Sequence, residues 1–116
     1  MPTSPKPLSR AEFYILLVLS ENALHGSGIA REVRRRSGDE VRLWPVALYR
    51  TLDELTASGL IEDLGPDRHP SGESRRRKYY GVTPGGSARL RREAERLAGL
   101  AAVALNAVNS GAHGNG

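Results

Sequence analysis

Apolar residues recur at helical spacing soon after the start of the chain. Ser9 precedes this segment and Glu12 follows three residues later, which is the arrangement of a helix capping box. The residues on the expected buried face are Ile15, Leu16 and Leu19. The pattern predicts a first helix that starts after Ser9 and ends in the turn-rich residues 22–28 (NALHGSG).

A shorter amphipathic segment follows over residues 27–36. Ile29 and Val33 lie one helical turn apart on its inward side, and Gly38 provides a C-terminal stop. We therefore expect a second helix here. Residues 41–43 predict a short strand before the next helical pattern.

The third helical pattern begins at Pro45, a residue suited to the first turn of a helix, and ends near Gly59. Its apolar positions recur at i, i+4 and i+7 and share one buried face, namely Leu48, Leu52 and Leu55. Side chains that point away from this face are Val46, Ala47, Arg50 and Glu54, with Tyr49 and Thr51 on the flanks.

The rest of the chain predicts a hairpin and a last helix. Strands are expected over residues 60–64 and 78–82, joined by a long loop rich in Gly, Pro, Asp and Ser. Thr83 and the proline after it can start a helix over residues 84–108, followed by a disordered tail over residues 109–116. With a loose N-terminal arm over residues 1–7, the fold class is mainly α with a small β-hairpin.

Composition narrows the class of protein. The 116 residues suit one modest domain, and the formal net charge of +4 with a pI of about 10 favours a polyanionic partner. The chain has no cysteine, which excludes disulfides and thiolate sites and fits a reducing cytoplasm. No apolar run is long enough to cross a bilayer, and the first residues lack the layout of a signal peptide. We expect a cytoplasmic protein with no membrane partner.

Four consecutive cations precede the second hairpin strand, namely Arg75, Arg76, Arg77 and Lys78. After a helix that starts with proline, such a hairpin suits the wing of a winged helix-turn-helix domain, here residues 8–83. The third helix would then enter the major groove, and the wing cations would neutralise phosphates. A solvated edge strand is the alternative. Arg34, Arg35 and Arg36 suit the last turn of the second helix through its dipole, so their direct contact with nucleic acid is less favoured.

The ordered set of short motifs resembles the PadR-like transcriptional regulators over roughly residues 8–97. The motifs are Tyr14-Ile-Leu-Leu17, His25-Gly26 with Ile29, Leu48-Tyr49-Arg50, Ser58-Gly59-Leu60-Ile61-Glu62, Arg76-Arg77-Lys78-Tyr79-Tyr80 and Val82-Thr83-Pro84-Gly85. The resemblance implies a homodimeric repressor that binds palindromic promoter DNA and is released by a small molecule or another signal. It also implies that the residues around Leu48-Tyr49-Arg50 belong to the recognition helix.

Two positions depart from the family pattern. Ser27 stands where such proteins often have tyrosine, and Trp44-Pro45-Val46 replaces a small or polar lead-in to the recognition helix. Val46 and Ala47 offer only apolar contacts to base edges, for example to thymine methyl groups. The predicted DNA-contacting residues are Val46, Ala47, Tyr49, Arg50, Thr51, Arg75, Arg76, Arg77 and Lys78.

The last helix carries a heptad-like seam. Its members alternate at spacings of four and three residues, namely Leu90, Ala94, Leu97, Ala101, Ala104 and Val108. Leu100, Val103 and Leu105 lie off the seam, and a helix that is apolar on more than one side needs more than one partner. We expect this helix to form a homodimer; packing against its own domain is the alternative.

Other kinds of site are weakly supported. The three histidines lie in separate elements without ligand spacing, so no metal or cofactor is expected, and His25 suits a turn or a capping role. Adjacent acidic pairs do not form a carboxylate dyad, and no nucleophile or phosphate-loop motif occurs. Trp44 suits a core or rim position more than stacking on a ligand. The favoured interpretation is a DNA-binding regulator; the rivals are a protein-docking winged helix and, less favoured, an enzyme.

Overall fold

The computed structural model describes residues 6–65 and 78–114. Four helices and three strands occur in these ranges. In chain order they are α1 (Arg10–Glu21), β1 (Leu24–His25), α2 (Gly26–Arg36), α3 (Pro45–Ala57), β2 (Ile61–Gly65), β3 (Tyr79–Val82) and α4 (Pro84–Gly114). This mainly helical architecture with a small antiparallel sheet confirms the predicted fold class.

The predicted capping box starts α1. The Glu12 N–H donates to the Ser9 hydroxyl oxygen at 3.1 Å, and the Ser9 N–H donates to the Glu12 carboxylate at 2.8 Å. These bonds satisfy two donors that a helix N-terminus would otherwise leave open. The residues on the inner face of α1 are Ile15, Leu16, Val18 and Leu19, all buried.

One apolar core joins the first three helices to the sheet. α3 contributes the three leucines expected from its spacing, Leu48, Leu52 and Leu55, which are at most 3% exposed. α2 adds Ile29 and Val33, and the sheet adds Ile61 and Tyr80. Since burying each large aliphatic side chain stabilises the fold by roughly 1.5–3 kcal/mol, this core fixes how α3 is oriented.

The sheet has three strands in the order β1-β3-β2, with both pairs antiparallel. Leu24 and His25 of β1 pair with the two tyrosines of β3, in a segment expected to form only a turn. The short strand predicted at residues 41–43 is wrong. Val41 enters the core, and its N–H donates to the Ser37 hydroxyl at 2.9 Å instead of to a neighbouring strand.

A close junction at Thr83 joins the sheet to α4. The Thr83 hydroxyl donates to the Gly59 carbonyl at 2.6 Å and accepts from the Gly86 N–H at 3.0 Å. The helix therefore starts at Pro84 as expected, with its first turn against residues 59–60. Gly86 is buried, and a Cβ there would lie 2.9 Å from the Leu60 carbonyl carbon and would clash with its oxygen.

The helix α4 is longer than expected. It continues past Val108 to Gly114, so residues 109–114 of the predicted disordered tail are helical. Alanine is frequent in this half of α4 and no proline interrupts it, which favours continued helix. None of the described helices combines the length and apolar character needed to cross a membrane.

A buried carboxylate lies on α4 beside α1. Glu93 is 3% exposed and pairs with Arg96 at 2.6 Å and with Arg89 at 3.6 Å. The hydrogen bond from Arg96 holds the pKa of Glu93 below its usual range, against the opposing effect of desolvation. Because a buried charge needs a partner, these two arginines are structural.

We predict that Gly86→Ala destabilises the fold by roughly 1–3 kcal/mol, because its methyl group meets the rigid backbone of Leu60. Urea unfolding followed by circular dichroism measures this change. The matched control is Gly85→Ala, whose Cβ would lie 3.5 Å from the nearest atom, the Gly59 carbonyl oxygen, at ordinary contact distance. Equal stability of the two variants would contradict the proposed close packing of α4.

Candidate nucleic-acid interface

The outward face of α3 carries exposed members of the predicted interface. Val46 is 81% exposed, and Arg50 is exposed and makes no ion pair or side-chain hydrogen bond in the described part of the chain. Ala47 and Thr51 are only half-buried positions at the edge of this face. Because the opposite face carries the three core leucines, α3 cannot rotate to hide Val46 and Arg50 without opening the core.

The side chain of Thr51 is occupied within its own helix. Its hydroxyl donates to the Ala47 carbonyl at 2.8 Å. This bond is common for threonine in helices and leaves one lone pair of the hydroxyl oxygen for other donors. Thr51 is thus less available for contact than its place on the helical wheel indicated.

Tyr49 leans away from the exposed face and toward the start of α2. Its ring lies over Gly26, where a Cβ would be 2.7 Å from the Tyr49 Cζ atom. The ring still has 45% of its surface exposed. Sequence analysis missed the role of Gly26 as the residue that makes room for this ring; the only local sign was its place in the His25-Gly26 motif.

The N-terminus of α2 is capped by a histidine. The Nδ1 atom of His25 accepts from the Gly28 N–H at 3.2 Å and lies 2.9 Å from the Ser27 hydroxyl oxygen. This confirms the capping role expected for His25. The same ring packs edge-on against Tyr79, with centroids 5.5 Å apart, and so ties α2 to β3.

A polar cleft of about 550 Å³ separates α3 from the sheet. Its lining residues come from α2, α3 and the hairpin and are His25, Gly26, Ser27, Tyr49, Asp53, Lys78 and Tyr80. Tyr80 is buried, and desolvation, reinforced by the charge of Asp63, raises its pKa, so its hydroxyl stays neutral. Tyr80 therefore serves the core more than the surface.

The basic hairpin is described only at its last cation. Lys78 is exposed and lies 3.7 Å from the Asp63 carboxylate across the hairpin. Arg75, Arg76 and Arg77 fall outside the described residues. The pair with Asp63 is solvent-exposed and therefore weak, so it leaves Lys78 able to exchange partners.

Each member of the arginine run at the end of α2 has an acidic partner within the domain. Arg34 pairs with Asp39 at 2.7 Å and Arg35 with Glu32 at 2.6 Å, while Arg36 pairs with Glu21 of α1. Hydrogen bonds from Arg34 and Arg36 are the main cause of the lowered pKa values of Asp39 and Glu21. These pairs agree with the structural interpretation of the run.

Trp44 is not a core residue. It is the N-cap residue of α3, makes no side-chain capping bond and is 68% exposed. Of the core or rim position expected for Trp44, this exposure excludes the core, and a position at the rim of an interface stays a prediction. A neighbouring residue, Leu43, packs against the core instead.

The seam predicted on α4 divides into two parts. Leu90 packs against the core of its own domain, so this position is occupied within the chain. The other seam residues are exposed, namely Ala94, Leu97, Ala101, Ala104 and Val108. A groove of about 560 Å³ runs beside Leu97, between α4 and α1, and is lined on the α1 side by Phe13, Tyr14 and Leu17.

These features define a winged-helix transcriptional regulator, and comparison with known proteins gives its family. Residues 15–92 match the Transcriptional regulator PadR-like family. The chain is 34% identical over 103 residues to the transcriptional regulator Rv3488 of Mycobacterium tuberculosis, and the match covers 89% of each chain. The chain belongs to the PadR-like family of transcriptional regulators, a family of DNA-binding proteins without enzymatic activity, as expected.

Two solved structures show the same fold. The PadR-like transcriptional regulator BC4206 from Bacillus cereus is 20% identical and has a TM-score of 0.66, covering 84% of this chain and 89% of its own. The protein smu.1704 from Streptococcus mutans is 22% identical with a TM-score of 0.69, covering 93% and 95%. At these identities the likeness confirms the winged helix-turn-helix fold.

We predict that Gly26→Ala displaces the Tyr49 ring and lowers the free energy of unfolding by roughly 1 kcal/mol, as overpacking does. In a Tyr49→Ala background the same change should be neutral or slightly stabilising, because alanine favours helix over glycine. A double-mutant cycle by urea unfolding measures the difference. If Gly26→Ala has the same effect in both backgrounds, the two residues do not interact.

Proposed function

We propose that this regulator represses transcription as a homodimer bound to palindromic promoter DNA and is released by a small molecule or another signal. Membership of the family implies DNA binding and transcription regulation. Repression, the two-fold operator and the releasing signal rest on the resemblance described above. The observation that carries the proposal is the outward face of α3, opposite a fully buried leucine face.

The recognition chemistry on α3 combines one apolar and one charged side chain. Arg50 can donate two parallel hydrogen bonds to the N7 and O6 atoms of guanine in the major groove. Val46, which is 81% exposed, can contact thymine methyl groups one turn earlier. Ala47 and Thr51 lie at the edge of this face, and Tyr49, whose ring lies over Gly26, is the remaining α3 residue of the proposed interface.

The hairpin supplies contacts that do not depend on sequence. Lys78 is exposed at the start of β3, and Arg75, Arg76 and Arg77 precede it in the chain. Each cation that neutralises a phosphate releases counterions, so binding should weaken steeply with salt. In this proposal the wing provides affinity, and α3 provides specificity.

The exposed apolar side of α4 supports the homodimer. Large apolar residues both on and off the seam are between 39% and 67% exposed, namely Leu97, Leu100, Val103, Leu105 and Val108. Exposed apolar side chains clustered in this way along one helix are rare on a monomer and mark an interaction site. The groove between α4 and α1 adjoins these residues. In this proposal the α4 helix of a partner copy packs against both α4 and α1.

We predict that Arg50→Ala costs about 1–3 kcal/mol on operator DNA and much less on random DNA of equal length. Fluorescence anisotropy with a fragment from upstream of the protein's own gene measures both affinities. The matched control is Arg92→Ala, which removes one exposed arginine from α4. Equal loss on both DNAs would reduce Arg50 to a phosphate contact. A wild-type protein that does not prefer the fragment over random DNA would instead support the protein-docking alternative.

We predict that the double change Ala101→Glu and Ala104→Glu yields a folded monomer. Both residues are exposed, so the domain core is untouched, but like charges would face each other across the seam. Sedimentation velocity measures the mass, and circular dichroism checks the fold. The control Ala102→Glu places one glutamate, half the added charge, on an exposed position outside the seam and should remain a dimer. A dimeric double variant would move the interface off α4.

A further inference from the structure

An exposed tryptophan and unpaired arginines lie together at the N-terminal end of α3. They line a cavity of about 200 Å³ between α2 and the loop before α3, together with Ala30, Leu43 and Arg34. We call Arg31, Arg42 and Trp44 the shelf. Sequence analysis assigned none of the three to DNA.

The arginines of the shelf interact only at longer range with acidic groups of the domain, Arg31 with Glu32 and Arg42 with Asp39. Arg31 and Arg42 are exposed and make no ion pair or side-chain hydrogen bond within the described ranges 6–65 and 78–114. Their neighbour Arg34 differs, since Asp39 binds it at 2.7 Å. Two guanidinium groups with open donors therefore remain beside Trp44.

The apolar part of the shelf is exposed to solvent as well. Trp44 is 68% exposed, and Val46, two residues later on α3, is 81% exposed. An exposed tryptophan beside arginine is a combination enriched at interfaces, where the indole supplies contact area and the guanidinium supplies directed hydrogen bonds. A partner that fits this surface has anionic groups separated by patches of apolar surface.

The sugar–phosphate backbone of DNA has this chemistry. Phosphates recur along each strand, separated by deoxyribose rings with apolar faces. Trp44 immediately precedes Pro45, so the shelf is continuous with the face of α3 proposed to enter the major groove. A surface that adjoins the start of α3 meets the backbone that borders the groove.

We propose that Arg31, Arg42 and Trp44 form a second DNA contact, on the backbone that flanks the bases read by α3. The two arginines bind phosphates, and the indole of Trp44 covers a deoxyribose between them. This inference rests on the proposed DNA-binding role of α3 and extends the protein's footprint beyond α3 and the wing.

The first test uses Trp44 as its own reporter, because it is the only tryptophan in the chain. Its fluorescence, excited at a wavelength that DNA does not absorb, should become protected from acrylamide when the unlabelled upstream fragment binds. Binding is followed separately by gel shift. Bound DNA with unchanged quenching of Trp44 would overturn the shelf while leaving the proposed function intact.

The second test separates charge from apolar contact. The double variant Arg31→Ala and Arg42→Ala should lower the salt slope of log affinity by about 0.9 for each phosphate that is no longer neutralised. Trp44→Ala should weaken binding several-fold with an unchanged slope, because it removes no counterion release. The control Arg91→Ala with Arg92→Ala removes the same charge from exposed positions on α4.

The outcomes distinguish the two proposals. If the shelf and control variants reduce affinity and slope equally, the effect is net charge and the shelf does not touch DNA. If wild-type protein binds neither the upstream fragment nor random DNA, the proposed DNA-binding function is wrong. Trp44 should then be tested for protection from acrylamide by an acidic polypeptide such as polyglutamate. Protection by polyglutamate alone would assign the shelf to protein docking and overturn the DNA contact.

Discussion

The close approach of α4 to the end of the α3–β2 connection is the constraint on which the rest of the structure depends. Gly86 leaves no side chain between α4 and the Leu60 backbone, and Thr83 bonds to the Gly59 carbonyl and the Gly86 N–H at once. α3, the hairpin and α4 are therefore joined through a few backbone atoms. In a dimer formed by α4, this rigid junction would transmit the geometry of the interface directly to the spacing of the two α3 helices, which must match the half-sites of an operator.

Electrostatics divide the arginines of the domain into two groups. One group is bound internally: Arg36 joins α2 to α1 through Glu21, and Arg96 holds the buried Glu93. The other group, including Arg31 and Arg50, is exposed without a partner in the described part of the chain. The net charge of +4 therefore does not by itself say which cations are available to bind DNA, because some arginines are already paired within the domain. The position of each cation in the fold, and not the total number of cations, decides which of them can bind phosphate.

The exposed apolar side chains also fall into two groups, one on α4 and one near the start of α3. Most large aliphatic side chains before α4 lie in the core, whereas the second half of α4 projects with Leu100, Val103 and Leu105 more than half exposed. Exposure of this apolar surface to water is unfavourable for a single chain. A second copy that buried the surface would therefore also stabilise the folded chain. Exposure at Trp44 is of a different kind, since arginines lie beside it and its proposed partner is the sugar–phosphate backbone of DNA.

Local signals in the sequence determined much of the secondary structure. The capping box at Ser9, Pro45 at the start of α3 and the leucines at i, i+4 and i+7 each act within one or two helical turns, so they can be recognised without neighbours. The order of the elements likewise predicted the winged helix, and the leucine spacing predicted which face of α3 is exposed. The predicted seam was recognised from the same short-range periodicity.

Only the tertiary structure decided which partners meet. The two residues of β1 form a strand because Tyr79 and Tyr80 lie beside them, whereas residues 41–43 pair with none of the three described strands. Gly26 and Tyr49 are 23 positions apart by their numbers, and Arg36 and Glu21 are 15 apart, so neither contact leaves a local pattern. Contacts between distant segments are set by how the whole chain packs, because a side chain's neighbours are fixed only when the elements have taken their places.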